Sequence, residues 1–386
     1  MIENKVHTEK IVLAGLLLSS VDSKLFEEDM QEMRMLCETA GAFVISTIIQ
    51  RRESPVASTF LGMGKLEEIK RTMKESSAKT LVIDAQLSPG QIRNIEKIVD
   101  GKVIDRGQLI LDIFAKHART NEARIQVELA QMKLLYPRLT HAWTHFSQQV
   151  GGIGTVGPGE KQLEVDRRLV KNKISDLNDK LKKIEKNRVT QKKGRNNIFQ
   201  AVLVGYTNVG KSSLLNAISG SDVFVENKLF ATLDTSTRRT FLPGAGNIII
   251  SDTVGFLRKL PHQLVASFRS TLSVVSDANL LLIVVDGSSE WVGQQLKTVH
   301  TVLDELKAGE IPSLLVFNKM DLVTDVFVKK QLMLEYPDAL FVSTFNKDDI
   351  AQFKAQIASN VIEFEKNKKI SEIIHRETKK TVPDED

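Results

Sequence analysis

The stretch "AVLVGYTNVGKSSLLNAI", Ala201 to Ile218, constrains the fold more than any other part of this chain. An apolar, β-branched run meets a glycine loop, and the loop feeds directly into residues with helical spacing. Strand, tight loop and helix in that order open a parallel α/β sheet. Gly205 to Ser212 reads G-x-x-x-x-G-K-S. The glycines let the loop curl so that backbone N–H groups converge on one point, and the helix N-terminus beyond it favours an anion there. Gly205, Tyr206, Thr207, Asn208, Val209, Gly210, Lys211 and Ser212 are therefore expected to hold nucleotide phosphates. Lys211 neutralises the β- and γ-oxygens, and the Ser212 hydroxyl is offered to Mg²⁺.

Two later turns narrow the ligand. Asp252, Thr253, Val254 and Gly255 follow the apolar run Ile248–Ile250. A carboxylate there can hold Mg²⁺ through water, and the Gly255 N–H can meet a γ-phosphate. Asn318, Lys319, Met320 and Asp321 follow "SLLVF". Asp321 can accept from the guanine N1–H and N2 amine while Lys319 lies along the base. Adenine offers neither donor, and leaving that carboxylate unsatisfied costs on the order of several kcal/mol, which selects GTP over ATP.

Between these turns lies "FATLDTSTRR", where a switch loop belongs: Phe230, Ala231, Thr232, Leu233 and Asp234. Thr232 is the expected second Mg²⁺ ligand, ordered when a γ-phosphate is present; Thr235 and Thr237 are the alternatives. Ser343, Thr344 and Phe345 in "LFVSTFN" form the turn expected to hold the guanine O6 with backbone N–H groups, with Ser-Thr where Ser-Ala is usual. Lys211, Thr232 and Gly255 form the expected catalytic set. Ras-like GTPases commonly place a water-orienting glutamine directly after the Gly255-type glycine. Here Phe256 stands there, and the nearest polar residues are Arg258, His262 and Gln263. Hydrolysis is therefore expected to be slow alone and accelerated by a partner.

A chain of 386 residues exceeds one ordinary core. Residues 1–120 alternate candidate strands (Ile11–Leu18, Ala42–Ile49, Thr80–Ala85, Lys102–Asp105) with amphipathic segments, giving a small parallel α/β domain. Residues 121–190 carry two helical patterns. Ile125, Leu129, Met132 and Leu135 or Tyr136 share one face, and Leu163, Val170, Ile174, Leu177, Leu181 and Ile184 keep heptad spacing, as in an antiparallel hairpin. A polar linker (191–197), a Ras-like P-loop G domain (198–365) and a charged tail (366–386) complete the expected order. Cys37 is the only cysteine, so no internal disulfide or zinc cluster is available, and a buried place on a helix is its expected role. No run is apolar and long enough to span a bilayer, and the N-terminus is a poor signal peptide. A cytoplasmic monomer is expected, reaching membranes only peripherally through ribosomes.

Net charge is only +5, yet residues 161–195 hold thirteen Lys/Arg against five Asp/Glu. Such a block favours a polyanionic partner. Just before it, "VGGIGTVGPGEKQLEVDRR" contains G-x-G-x-x-G at Gly152, Gly154 and Gly157. A dinucleotide loop needs an apolar strand before it, and "HAWTHFSQQV" is not one. These glycines instead suit a mobile hairpin tip, with Arg167, Arg168, Lys171 and Lys173 beneath it.

With "FLGMGKLEEI", "DRGQLILDIFAKHART", "QVELAQM" and "FATLD", that glycine stretch makes the chain resemble the HflX GTPases of the TRAFAC translation-factor-related group, across roughly residues 40 to 345. The resemblance implies that the hairpin enters the large ribosomal subunit near the peptidyl-transferase centre, its tip among rRNA. It also implies that GTP favours the ribosome-bound state and that stalled or stress-inactive ribosomes are split or remodelled. Two other readings stand beside this one: a GTP-dependent ribosome or RNA tether, and an ATP-dependent RNA remodeller using the N-terminal domain. The last draws on "LGMGK" (Leu61–Lys65) with Arg51 and Arg52, a stretch that lacks the phosphate-loop pattern. The short end after Phe345 departs from longer members and puts a full C-terminal ribosome-contacting domain in doubt.

Overall fold

The structure, a computed structural model, describes residues 9–141, 158–192, 198–220, 229–230, 235–259 and 273–380. Two compact units divide the chain. The first comprises Met1–Val189 with Lys228–Leu233 and Lys259–Phe268; the second comprises Thr190–Asn227, Asp234–Arg258 and Arg269–Asp386.

In the first unit, β1 (Glu9–Leu18), β2 (Ala42–Arg52), β3 (Thr80–Ile83) and β4 (Lys102–Asp105) form a parallel sheet in the order β2-β1-β3-β4. The connecting helices are α1 (Ser23–Thr39), α2 (Met63–Ser76), α3 (Pro89–Val99) and α4 (Arg106–His117). Parallel strands need such crossovers, which cover both faces of the sheet. Val12, Leu81, Ile83 and Val103 pack with Leu66, Ile69, Met73, Ile92 and Ile95, which recur at helical spacing in α2 and α3. Met33, Leu36 and Cys37 of α1 are buried, so the lone thiol sits in a helix as expected. Asp22, Ser88 and Asp105 accept from backbone N–H groups at the starts of α1, α3 and α4, each stabilising its helix by about 1 kcal/mol.

Two strand ends differ from expectation. β2 continues past Ile49 to Arg52 because β1 stays paired with it as far as Leu18. β3 stops at Ile83, since the Asp84 carboxylate turns to meet Arg106.

Helices α5 (Asn121–His141) and α6 (Pro158–Lys192) bring Ile125, Leu129 and Leu177 together, with Met132, Ile174, Leu181 and Ile184 around them. Glu128 meets Lys173 at 2.9 Å, and the Arg167 guanidinium lies 5.9 Å from the Tyr136 ring centroid, so the pairing is antiparallel. Of the two candidates for that face, Tyr136 is half-buried and Leu135 is exposed. The helix carries on through Gln191 and Lys192, which the sequence reading gave to a linker. Gly152, Gly154 and Gly157 lie outside the described residues.

The second unit is a six-stranded sheet in the order β10-β9-β8-β5-β7-β6. Its strands are β5 (Gln200–Gly205), β6 (Ser236–Leu242), β7 (Gly246–Asp252), β8 (Leu280–Asp286), β9 (Ser313–Asn318) and β10 (Leu340–Phe341). All pairs are parallel except β6 with β7. That strand corrects the sequence reading, which left Ser236–Arg239 in a loop: alternation there is masked by paired arginines, and partner β7 supplies the apolar side. Helices α7 (Lys211–Ser219), α8 (Ser273–Ser276), α9 (Val292–Glu305), α10 (Val326–Glu335) and α11 (Lys347–Lys380) complete the unit. Ile350, Phe353, Ile357 and Val361 of α11 are buried, and Phe364 meets Phe199 edge-on at 5.2 Å. The charged tail expected from residue 366 is helical as far as Lys380, its residues being strong helix formers, and 381–386 lie outside the described residues.

Candidate nucleotide-binding site

Strand β5 lies inside the sheet between β7 and β8, so the loop after its carboxyl end sits where ligands bind in open α/β sheets. Gly210 closes the loop with φ +91°, and a Cβ there would lie 2.2 Å from Asn318 Nδ2, so no other residue fits. Lys211 then opens α7 with its side chain turned back over the loop. Nζ donates to the carbonyls of Tyr206 at 2.7 Å and Gly205 at 3.2 Å. Burial lowers its pKa to about 8, opposed by the Asp252 carboxylate. A cation so poorly solvated is poised for an anion.

The Asp252 turn reaches the same point. The Ser212 hydroxyl donates to Asp252 Oδ2 at 2.5 Å, and Thr253 Oγ1 donates to the Leu203 carbonyl at 2.8 Å, fixing the turn to β5. Gly255 passes so close that a Cβ would lie 2.5 Å from Thr207 Cα. Phe256 N donates to Gly205 O at 3.0 Å, and Thr207 N donates to Phe256 O at 2.8 Å. Phe256 is thus buried as part of the loop's scaffold. Arg258 N donates to the Tyr206 hydroxyl at 2.9 Å, and its Nη1 to Gln294 at 3.0 Å. Nothing in the sequence announced these last two bonds, the second of which depends on α9 being beside the turn.

At the other end, Asn318 ends β9 buried, and its Nδ2 donates to Val209 O at 2.9 Å. Lys319 pairs with Asp286 at 2.7 Å. Asp286 was missed, although it closes the apolar run "LLLIVVDG" and sits in register with Asn318. Met320 N donates to Val342 O at 3.2 Å. Asp321 is exposed, and its Oδ1 accepts from Ser343 Oγ at 2.6 Å. Asp349 accepts from Ser343 N at 2.8 Å, and the Ser343 hydroxyl from Phe345 N at 3.3 Å; the Phe345 side chain is 88% exposed. Sequence spacing had not indicated Asp349.

Gly205–Ser212, Asp252–Gly255, Asn318–Asp321 and Ser343–Phe345 therefore gather at one end of one sheet. Ala231, Thr232, Leu233, Asp234, His262 and Gln263 lie outside the described residues. Phe230 is 2% exposed and meets Phe114 edge-on at 4.7 Å within the first unit. Of the alternatives for Thr232, Thr237 is taken up by β6 and bonds Ser251 Oγ at 3.0 Å. Ser212 and Asp252 present adjacent hard oxygens, a donor set that fits Mg²⁺. Among the described residues no group of three or more His, Cys, Asp or Glu is placed to hold a metal.

Comparison with known proteins agrees with this geometry. Three family models match in tandem: "GTP-binding GTPase N-terminal" over residues 27–115, "GTP-binding GTPase Middle Region" over 117–195 and "50S ribosome-binding GTPase" over 200–319. GTPase HflX of Flavobacterium psychrophilum is 43% identical over 379 residues, covering 93% of this chain and 92% of the relative. GTPase HflX of Escherichia coli is 45% identical over 300 residues, 77% of this chain and 70% of the relative. The crystal structure of SsGBP in complex with GDP superposes with TM-score 0.52 at 27% identity, covering 91% of this chain and all of that one. A relative this similar along almost its whole length, together with three family models matched in tandem, places the chain in the HflX GTPase family, whose members hydrolyse GTP.

Proposed function

We propose that this GTPase binds the large ribosomal subunit, is stimulated by it, and splits or remodels stalled or stress-inactive ribosomes. The observation that carries the reading is the face of α6. Arg167, Arg168, Lys171, Lys173, Lys180, Lys182, Lys183 and Lys186 are all exposed, while Ile174, Leu177, Leu181 and Ile184 turn towards α5. A helix whose apolar seam is already used and whose outer face is basic is suited to phosphate backbones. The description of the G-domain family as ribosome-binding points the same way. No described helix is long and apolar enough to cross a membrane. A cytoplasmic monomer that reaches its target through rRNA is the reading these features support, with domain limits at 1–120, 121–190 and 198–365.

Within the site, Gly205–Ser212 would hold the phosphates, Asn318–Asp321 the guanine, and Ser343–Phe345 its O6. Ser212, with Thr232 from the switch loop, would hold Mg²⁺, and Asp252 would accept from its water. Bound there, Mg²⁺ supplies charge neutralisation at the β- and γ-oxygens. Lys211 stabilises the same oxygens, and the Gly255 N–H meets the γ-phosphate. Phe256 offers no group to orient water, so a partner must order the missing polar contact, and hydrolysis is expected to be slow in the isolated protein.

Co-sedimentation with separated subunits, with hydrolysis read in the same tubes, tests the proposal. GTP should favour co-sedimentation with the large subunit and that subunit should raise turnover, both effects lost in Lys211→Ala. Turnover indifferent to added subunits at matched salt would sink it, and sedimentation indifferent to the nucleotide would favour a tether.

A further inference from the structure

Strands β8 and β9 end side by side in the second unit, with Asp286 in register with Asn318. The next residue, Lys319, turns into the left-handed region with φ +60°. Lysine lacks the short polar side chain with which Asn or Asp can stabilise that conformation, so surrounding contacts must hold it. On the backbone side, Met320 N donates to Val342 O at 3.2 Å and Leu322 N donates to Lys319 O at 2.9 Å. At the other end of the side chain, Lys319 Nζ lies 2.7 Å from Asp286 Oδ2. The second oxygen of that carboxylate is fixed as well: Asp286 Oδ1 accepts from Ser288 N at 3.0 Å and from Ser288 Oγ at 2.6 Å. Swinging the carboxylate away from Lys319 would therefore break the turn that follows β8.

The two turns are also seated on each other. Gly287 N donates to Asn318 O at 2.9 Å, and a Cβ at Gly287 would lie 2.5 Å from Met320 Sδ. Asp286 thus arrives at a set distance from Lys319. The pair is partly buried, its side chains 17% and 26% exposed. Fully exposed ion pairs contribute little, in part because two flexible side chains must be ordered to make them. Here Ser288 already orders the carboxylate, so the lysine alone has freedom to lose. A lysine anchored at its head holds its methylene stem extended, presenting an apolar edge in one place.

We infer that Asp286 is a positioning residue for guanine binding: it tethers the Lys319 ammonium so that the lysine stem is already extended where the base is to lie. The inference rests on the nucleotide site proposed above, in which Lys319 lies along the base. Released from Asp286, the stem would have to be ordered by each incoming nucleotide, and affinity would fall by the cost of immobilising one long side chain. GTP and GDP share the base, so both lose alike. The contact takes no part in the chemistry at the γ-phosphate, so the loss belongs in KM and not in kcat.

Titrations with GDP and a non-hydrolysable GTP analogue, beside steady-state hydrolysis, test it in the full chain. Asp286→Asn keeps an oxygen for Ser288 and removes the charge that faces Lys319. It should weaken both nucleotides by about two- to twelvefold and raise KM for GTP to match, with kcat at saturating GTP held. Lys319→Met keeps the stem without its anchor and should lose at least as much. In the Lys319→Met background Asp286→Asn should change nothing further, because its effect runs through the lysine. Wild-type affinity in either single variant, a fall in kcat in place of affinity, or the same further loss on top of Lys319→Met would overturn the inference, the last by assigning Asp286 to its turn alone. Asp321→Asn is the control for the site itself. If it binds GDP as the wild type does, the guanine-site reading fails; if it binds weakly while Asp286→Asn does not, only the role of Asp286 fails.

Discussion

Asn318 Nδ2 donates to the Val209 carbonyl across 2.9 Å, joining the turn proposed to read the base to the loop proposed to hold the phosphates. The bond is buried and runs between residues 109 apart, so it fixes the distance between the two halves of the site. Asn318→Ala leaves the Val209 carbonyl without its donor, a loss of about 1–3 kcal/mol. Affinity for GTP and GDP should fall together, by roughly 5- to 150-fold. Calorimetric titration with each nucleotide checks this, and wild-type affinity would show that the bond does not shape the site.

The local order of this site was legible because each motif is a strand end followed by a turn, and apolar runs such as "SLLVF" announce strands without any knowledge of neighbours. The four-stranded parallel sheet of the first unit was legible for the same reason. What was not legible depends on residues far apart in sequence. Asp286 is ordinary until β8 is seen beside β9 and Lys319 turns to it. The strand β6 shows no clean alternation and becomes one only against β7. Arg106 lies in a stretch quoted as a family mark, yet nothing in its neighbours announces a buried ion cluster with Glu32 and Asp84.

Nucleotide affinity should weaken above pH 8. Burial holds the Lys211 pKa at about 8 in the free protein, whereas phosphates beside Nζ favour the charged form. Above pH 8 the free protein has lost this proton and must take it back on binding, so affinity falls with rising pH, by at most about tenfold per unit. Below pH 8 both states are protonated and this group contributes no slope. Dissociation constants measured from pH 7 to 10, with Lys211→Gln as the control, decide the point: the control should be weak and flat. A wild-type profile as flat as the control's would refute it.

The thiol of Cys37 should report unfolding of the first unit. Burial, reinforced by the neighbouring Glu38 charge, raises its pKa to about 12, and the side chain has no exposure. Thiolate is the reactive form, so alkylation at pH 8 should be negligible in the native protein and rapid once the unit opens. Because this is the only cysteine, whole-protein mass reads the fraction opened without site mapping. Rapid native labelling would show that α1 does not bury the thiol.

That reporter allows a direct test of the Arg106 cluster. Burial opposes the guanidinium charge, but Glu32 and Asp84 overcome the penalty and hold its pKa above the ordinary value. The guanidinium is therefore charged at every working pH, and removing it takes a cation away from buried carboxylates. Arg106→Met should destabilise the first unit by about 3–5 kcal/mol, the range for breaking a buried ion pair from one side. Cys37 labelling should then begin at lower denaturant, while GDP affinity, which depends on the second unit's loops, changes little. Adding Glu32→Gln and Asp84→Asn to Arg106→Met removes the stranded charges, and a large part of the stability should return. If the triple variant were no more stable than Arg106→Met alone, the loss would lie in packing around the long side chain and not in its charge.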